Sequence, residues 1–259
     1  MVLKNFDSKE LFDIYIKDAE HPFSGWDFSY IANRMVMAPL PWSYDSIVIP
    51  YIRKAKSLLD MGTGGGEKLA SLQPLPIKTY ATEGYEPNFP IAKKRLEPLG
   101  VKVVKVGSDD KLDFPDNFFE VIINRHESYS PEEVKRVLHP GGYFITQQVG
   151  PTNDVDINRF FGLEISENTI EYLHWGLEFA TNQLEEFGFQ ILMKREDSPI
   201  QRCFDIGAIV YYLTAIPWQV PNFSVEKFRE KLFALHQKIL KDGYFDITSE
   251  RFIIIARKE

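Results

Sequence analysis

A single cysteine, Cys203, is all that the 259-residue sequence contains, so neither an intrachain disulfide nor a cysteine-built zinc site is open to it. Cys203 therefore reads as a small apolar side chain. No stretch approaches the ~18 continuous apolar residues of a membrane-spanning helix, and the start, Met1-Val-Leu-Lys-Asn-Phe-Asp7, has no run of signal-peptide length. A cytoplasmic protein with no membrane partner is expected. Blocks of Lys and Arg are missing too, and 37 acidic against 30 basic residues leave a formal charge of −7, which disfavours a nucleic-acid partner and favours small substrates. Neither a Ser/His/Asp elbow, an H-E-x-x-H metal spacing nor a Walker lysine is visible, which sets aside hydrolase and NTPase chemistry. No repeat, low-complexity run or Gly/Ser linker divides the chain. One domain spanning 1–259 is expected.

Hydrophobic residues make up 44% of the sequence, enough for a substantial core, and aromatics 14%. The stretch from Ser57 to Glu67 organises the rest: apolar residues run into Asp60, and glycines follow at 62, 64, 65 and 66. That pattern predicts a buried strand breaking into a tight turn before a helix. Glycine can take a positive φ and admits a ligand close to backbone N–H groups, which favours a nucleotide-like cofactor. A dinucleotide fingerprint, G-x-G-x-x-G, would need a third glycine where Glu67 stands.

From Lys56 onward strand and helix alternate. Strands are predicted over 57–61, 77–83, 101–106 and 121–124, with helices from the glycine turn to about 72 and over 88–96, which implies a parallel sheet covered on both faces. Glu83 ends the second strand, where a carboxylate can accept hydrogen bonds from ribose hydroxyls. Ser130-Pro-Glu-Glu133 reads as a capping box opening a helix to about 138. Ser8 is a candidate cap for a helix to about 18, and Ser224 for a longer helix that Gly243 stops. Asn182–Phe187 is a predicted helix, 189–194 a strand, 205–216 a buried helix and 252–256 the last strand. His236, with no partner evident, reads as a surface residue.

Asp60-x-Gly62-x-Gly64-x-Gly66 resembles the first motif of class I S-adenosylmethionine (SAM) dependent methyltransferases. His139-Pro-Gly-Gly-Tyr143 is similar to the turn that leads those proteins into their fifth sheet strand. The resemblance covers about 57–147 by motif and the remainder by layout. It implies a Rossmann-like doubly wound α/β sheet, mostly parallel with an antiparallel last strand at its edge, an N-terminal helical lid and inserted cap segments. The lid would be 1–50, the SAM-binding core 51–149, and the cap insertions with the second half of the sheet 150–259.

The resemblance implies SAM as cofactor, held by Asp60, Gly62, Thr63, Gly64, Gly66, Glu83 and Gly84. It also assigns the adenine amino group to an acid after the third strand. Ser108 stands where the family has its Asp, so Asp109 takes that role, with Asp110 as the alternative. Asn124 and Arg125, at the carboxyl end of the next strand, complete the cofactor set. Arg125 could instead bind a substrate carboxylate or form a structural salt bridge. Methyl transfer from a sulfonium needs positioning and exclusion of water before it needs a nucleophile. If a base is used, His126 is first choice and Glu127 second, with a purely orienting role for His126 as the alternative. Trp26, Trp42 and Tyr44 are candidates for the substrate-facing side of the lid, or for its packing. The expected function is transfer of a methyl group to an unidentified small molecule; RNA or protein methylation, and non-catalytic SAM binding, are the alternatives.

Overall fold

The computed structural model describes residues 7–107, 111–166 and 172–259. Its strands are β1 (Met35–Met37), β2 (Ser57–Met61), β3 (Lys78–Glu83), β4 (Lys102–Lys105), β5 (Phe119–Arg125), β6 (Leu138–Val149), β7 (Phe189–Asp197), β8 (Ile200–Cys203), β9 (Phe245–Thr248) and β10 (Arg251–Lys258). Its helices are α1 (Ser8–Tyr15), α2 (Tyr44–Ile52), α3 (Glu67–Ser71), α4 (Phe89–Leu96), α5 (Pro131–Val137), α6 (Val155–Phe160), α7 (Leu177–Glu186), α8 (Ile206–Ala215) and α9 (Arg229–Asp242).

Seven strands form one sheet in the order β4-β3-β2-β5-β6-β10-β7. The β2–β3, β2–β5, β3–β4 and β5–β6 pairs are parallel, and β10 runs antiparallel to both β6 and β7. The order reverses beside β2, the arrangement in which open α/β sheets bind ligands at the carboxyl ends of their strands.

Because side chains alternate across a strand, the sheet builds two cores. Leu59, Ile122, Phe144 and Ile254 face α5 and α7, whose Val134, Val137, Ala180 and Leu184 pack on them. Leu58, Ile123, Ile145 and Ile253 face the other way, toward Val48 and Ile52 of α2, Leu69 of α3 and Ala92 and Leu96 of α4. A third core lies in a cap that joins α1, α6, α8 and α9 to the small sheet β1-β8-β9, around Phe12, Ile157, Ile206, Leu232, Leu235 and Ile247. No helix among the described residues is long and apolar enough to cross a membrane.

Four expectations need correction. The last strand is not an edge: β10 lies between β6 and β7, and its Phe252–Ala256 are buried, whereas β7 alternates burial and exposure as an edge strand can. Asp7, not Ser8, caps α1, its carboxylate accepting the Lys9 and Glu10 N–H groups at 2.8 Å each. Ser130 does cap α5, but Glu133 turns away from the box to accept the Leu112 N–H at 2.6 Å and to pair with Arg136. His236 is 1% exposed, its Nε2 2.9 Å from the Ser8 carbonyl and its ring against Phe12 and Tyr15.

Candidate active site

The turn after β2 has the predicted conformation: φ is +65° at Gly62, +62° at Gly64 and +82° at Gly66, a region that side chains with a Cβ avoid. Space is as restrictive as conformation. A Cβ on Gly64 would lie 2.7 Å from Cδ1 of Trp26, and one on Gly62 would lie 2.2 Å from Cγ of Glu127. The Thr63 N–H donates to the Thr82 carbonyl at 2.9 Å and the Gly66 N–H to the Thr63 carbonyl at 3.0 Å. Internal bonds therefore shape the turn, and Arg95 of α4 clamps it from outside through the Gly65 carbonyl and the Glu67 carboxylate.

Two buried carboxylates flank the turn. Asp60 accepts the Thr63 hydroxyl at 2.7 Å, and loss of hydration pushes its pKa up to about 7; the Thr63 bond and the Arg125 charge oppose that rise and Glu83 adds to it. Glu83 is 4% exposed and accepts the Tyr85 N–H at 2.7 Å. Gly84 follows it with ordinary backbone, its α-carbon facing Val106. Ser108, Asp109 and Asp110 lie outside the described residues.

The loop after β5 brings Arg125, His126 and Glu127 to the same end of the sheet. Arg125 and His126 keep solvent access yet are closely surrounded by protein, as side chains lining a deep cleft are. His126 has a φ of +60°, and its N–H donates to the Gln147 carbonyl at 2.8 Å. Trp42 Nε1 donates to Gln147 Oε1 at 3.0 Å, which orients the amide so that Gln147 Nε2 faces His126 Nε2 at 3.3 Å. His126 Nε2 is then an acceptor and the ring is neutral. Burial, with the charges of Arg125 and Arg251, holds its pKa well below the usual range. The ring is thus unprotonated as a base must be, but weakly basic and already engaged at Nε2.

Three further candidates are buried beside the cleft. Trp42 and Tyr44 are 9% and 7% exposed and belong to the core under the sheet, because Tyr44 continues the α2 stripe of Val48 and Ile52. Asn124 is fully buried on the opposite face, its Oδ1 accepting from Thr146 at 2.9 Å and Gln148 at 2.5 Å. That cluster anchors the loop, since Gln148 also donates to the Glu127 carbonyl at 2.9 Å. Trp26, 48% exposed over Gly64, is the lid aromatic that reaches the cleft. Gln147, Gln148 and Arg251 were missed, although polar residues ending otherwise apolar strands were the signal for them.

A mostly parallel sheet with a glycine turn and buried carboxylates at its carboxyl ends is the arrangement of doubly wound α/β proteins, which bind ligands at that edge. A family model described as a methyltransferase domain matches residues 59–146. Over 100 residues the chain is 33% identical to a protein-L-isoaspartate O-methyltransferase of Magnetococcus marinus, 37% of this chain and 43% of that protein. Over 101 residues it is 31% identical to a phthiotriol/phenolphthiotriol dimycocerosates methyltransferase of Mycobacterium tuberculosis, 36% of this chain and 37% of that one. The chain thus spans less than half the length of these curated relatives. Among solved structures, a candidate methyltransferase of Bacillus halodurans C-125 superposes with a TM-score of 0.58 at 19% identity, over 84% of this chain and 99% of that one. The YcgJ protein of Bacillus subtilis gives 0.55 at 16%, over 83% and 97%. The chain is thus similar to methyltransferases over residues 59–146 and shares the fold of these solved structures.

Proposed function

We propose that this protein transfers a methyl group from SAM to a small-molecule acceptor. The observation that carries the proposal is the turn itself: left-handed glycines at 62, 64 and 66 set between the buried carboxylates of Asp60 and Glu83, inside the segment that the family model spans. These residues fit the cofactor. Gly62, Gly64 and Gly66 give the turn a left-handed backbone that side chains with a Cβ avoid, and burial raises the Asp60 pKa to about 7, the mark of a carboxylate with too little positive charge beside it.

SAM, when bound, supplies an activated methyl on a sulfonium centre. Glu83 accepts ribose hydroxyl protons in charge-assisted hydrogen bonds, Asp60 and Thr63 hold the turn, and Asp109 is assigned to the adenine. Trp26 closes the lid over Gly64 and, with the cap, excludes water. His126 acts as a positioning group: its bond with Gln147 fixes the loop that presents Arg125 and Glu127. Catalysis by proximity and desolvation then needs no strong base. A cytoplasmic location and the absence of a nucleic-acid partner belong to the same reading, supported by one cysteine and a net charge of −7.

Incubation of the protein with SAM and fractionated small metabolites, followed by mass spectrometry, tests this. Acceptor-dependent formation of S-adenosylhomocysteine with a product 14 Da heavier is expected, that mass being roughly one CH₂ added in a methyl-for-proton exchange. SAM binding with no transfer to any fraction would make the chain a binding protein.

A further inference from the structure

Alternation along the strands places one side chain from each of five neighbouring strands on the α2 face of the sheet. Each lies two residues past a core residue of that face: Glu83 past Ala81, Asp60 past Leu58, Arg125 past Ile123, Gln147 past Ile145, and Arg251 two before Ile253 on the reversed strand. The five positions are staggered, Asp60 standing opposite Ile123 and Arg251 opposite Val149, and read across β3, β2, β5, β6 and β10 this set changes from acidic to basic. The proposed cofactor uses only the acidic half.

The basic half lacks its counter-charges. Among the described residues the Arg125 guanidinium has neither an ion pair nor a hydrogen bond, while Tyr44, Asp45, Asp60 and Arg251 act on it only through space. Arg251 is 9% exposed and its guanidinium bonds neutral acceptors alone, Asn153 Oδ1 and the Glu250 carbonyl. The nearby carboxylate of Asp154 accepts from the Tyr212 hydroxyl and the Asn153 amide through Oδ2, both at 2.6 Å, and acts on Arg251 through space without an ion-pair contact. Two unpaired cations on one face of a crowded cleft are unfavourable until something negative joins them. Their field reaches His126, whose proton affinity both lower.

Beyond Tyr212 the cap is aromatic. Its ring lies 5.5 Å from Phe28, Phe28 lies 6.4 Å from Trp26, and Trp26 lies 5.9 Å from Trp218. Trp26 and Trp218 remain 48% and 47% exposed. An apolar wall therefore links the glycine turn to the basic end of the set.

We infer that Arg125 and Arg251 bind an anionic group, carboxylate or phosphate, of the methyl acceptor, whose apolar body lies along Trp26 and Trp218. The inference rests on the methyltransferase reading and adds a substrate class to it. Guanidinium is suited to both anions through paired N–H donors.

Calorimetry on protein saturated with S-adenosylhomocysteine tests it, with phenylacetate, phenyl phosphate and uncharged phenylacetamide as probes. At least one of the anions is expected to bind and the amide to bind about tenfold more weakly or not at all, the equivalent of ~1.4 kcal/mol. Whichever anion binds more tightly names the source of the charge. Arg125→Gln, which breaks no bond within the protein, should weaken the anion about tenfold while leaving S-adenosylhomocysteine affinity unchanged, and Arg125→Lys should restore part of the loss. Failure of both anions to bind the saturated protein, or equal binding to wild type and Arg125→Gln, overturns the inference with the methyltransferase reading intact. A parallel loss of S-adenosylhomocysteine affinity in Arg125→Gln would also overturn it, assigning Arg125 to the cofactor. Failure of S-adenosylhomocysteine itself to bind would instead defeat the methyltransferase reading, and this inference with it.

Discussion

Replacing Asp60 by Asn should stabilise the unliganded protein, and by more as the pH rises. In the unfolded chain this carboxyl has its ordinary pKa of 3.8, whereas in the folded protein burial moves it up to about 7. Below pH 4 both states hold the proton and the group contributes nothing to the pH dependence. Between pH 4 and 7 the unfolded state releases the proton while the folded state keeps it, so stability falls with rising pH by about 1.4 kcal/mol per unit. Above pH 7 the loss is complete, at most roughly 4 kcal/mol for a shift of about three units. Asn cannot ionise, and its carbonyl can still accept the Thr63 hydroxyl that Asp60 accepts at 2.7 Å. Urea unfolding at pH 5, 6, 7 and 8 should therefore show Asp60→Asn gaining on wild type to a plateau of about 2–4 kcal/mol. A difference that is constant across that range, or that shrinks with pH, would refute the raised pKa of Asp60.

Two further outcomes follow from the turn and the loop. Gly64→Ala imposes a Cβ at a φ of +62° and 2.7 Å from Trp26, so urea melts should show a loss of about 1–2 kcal/mol or more; pairing it with Trp26→Ala should recover the steric part alone, and full additivity would deny the contact. His126, neutral because its folded pKa is depressed, leaves wild type losing stability as pH falls through the unfolded value near 6.5. His126→Gln should flatten that loss between pH 7.5 and 5.5, and an unchanged slope would mean that the His126 pKa is not depressed in the folded protein. As a positioning group its removal lowers turnover and cofactor affinity together, by less than about tenfold, whereas a ~10²-fold fall in turnover alone would make it a general base.

The sheet was legible in sequence because its strands are apolar runs ending in turn residues, and Asp60 to Gly66 announces the turn on chemistry alone. The small sheet was not: β1, β8 and β9 have three or four residues each, and Met35 pairs with Cys203, so no local pattern precedes the long-range contact. His236 was legible and overlooked, since Leu232, Leu235, His236 and Ile239 form one helical stripe facing the cap core. Trp42 and Tyr44 show the limit of reading aromatics by type: both serve a pocket or a core equally well, and the fold buries both in the core beside the cleft. Arg125 and Arg251, more than a hundred positions apart, become a pair only when β5, β6 and β10 are set side by side.

The central claim is that the Asp60–Gly66 turn and Glu83 hold SAM. Calorimetric titration of wild type and Glu83→Ala with S-adenosylhomocysteine and with NAD is its most direct test. The account predicts saturable binding of S-adenosylhomocysteine and none of NAD, with Glu83→Ala folded and its affinity at least about tenfold weaker, as expected from losing charge-assisted bonds of ~1.5–3 kcal/mol. Saturable NAD binding with no response to S-adenosylhomocysteine, or an affinity untouched by Glu83→Ala, would contradict it.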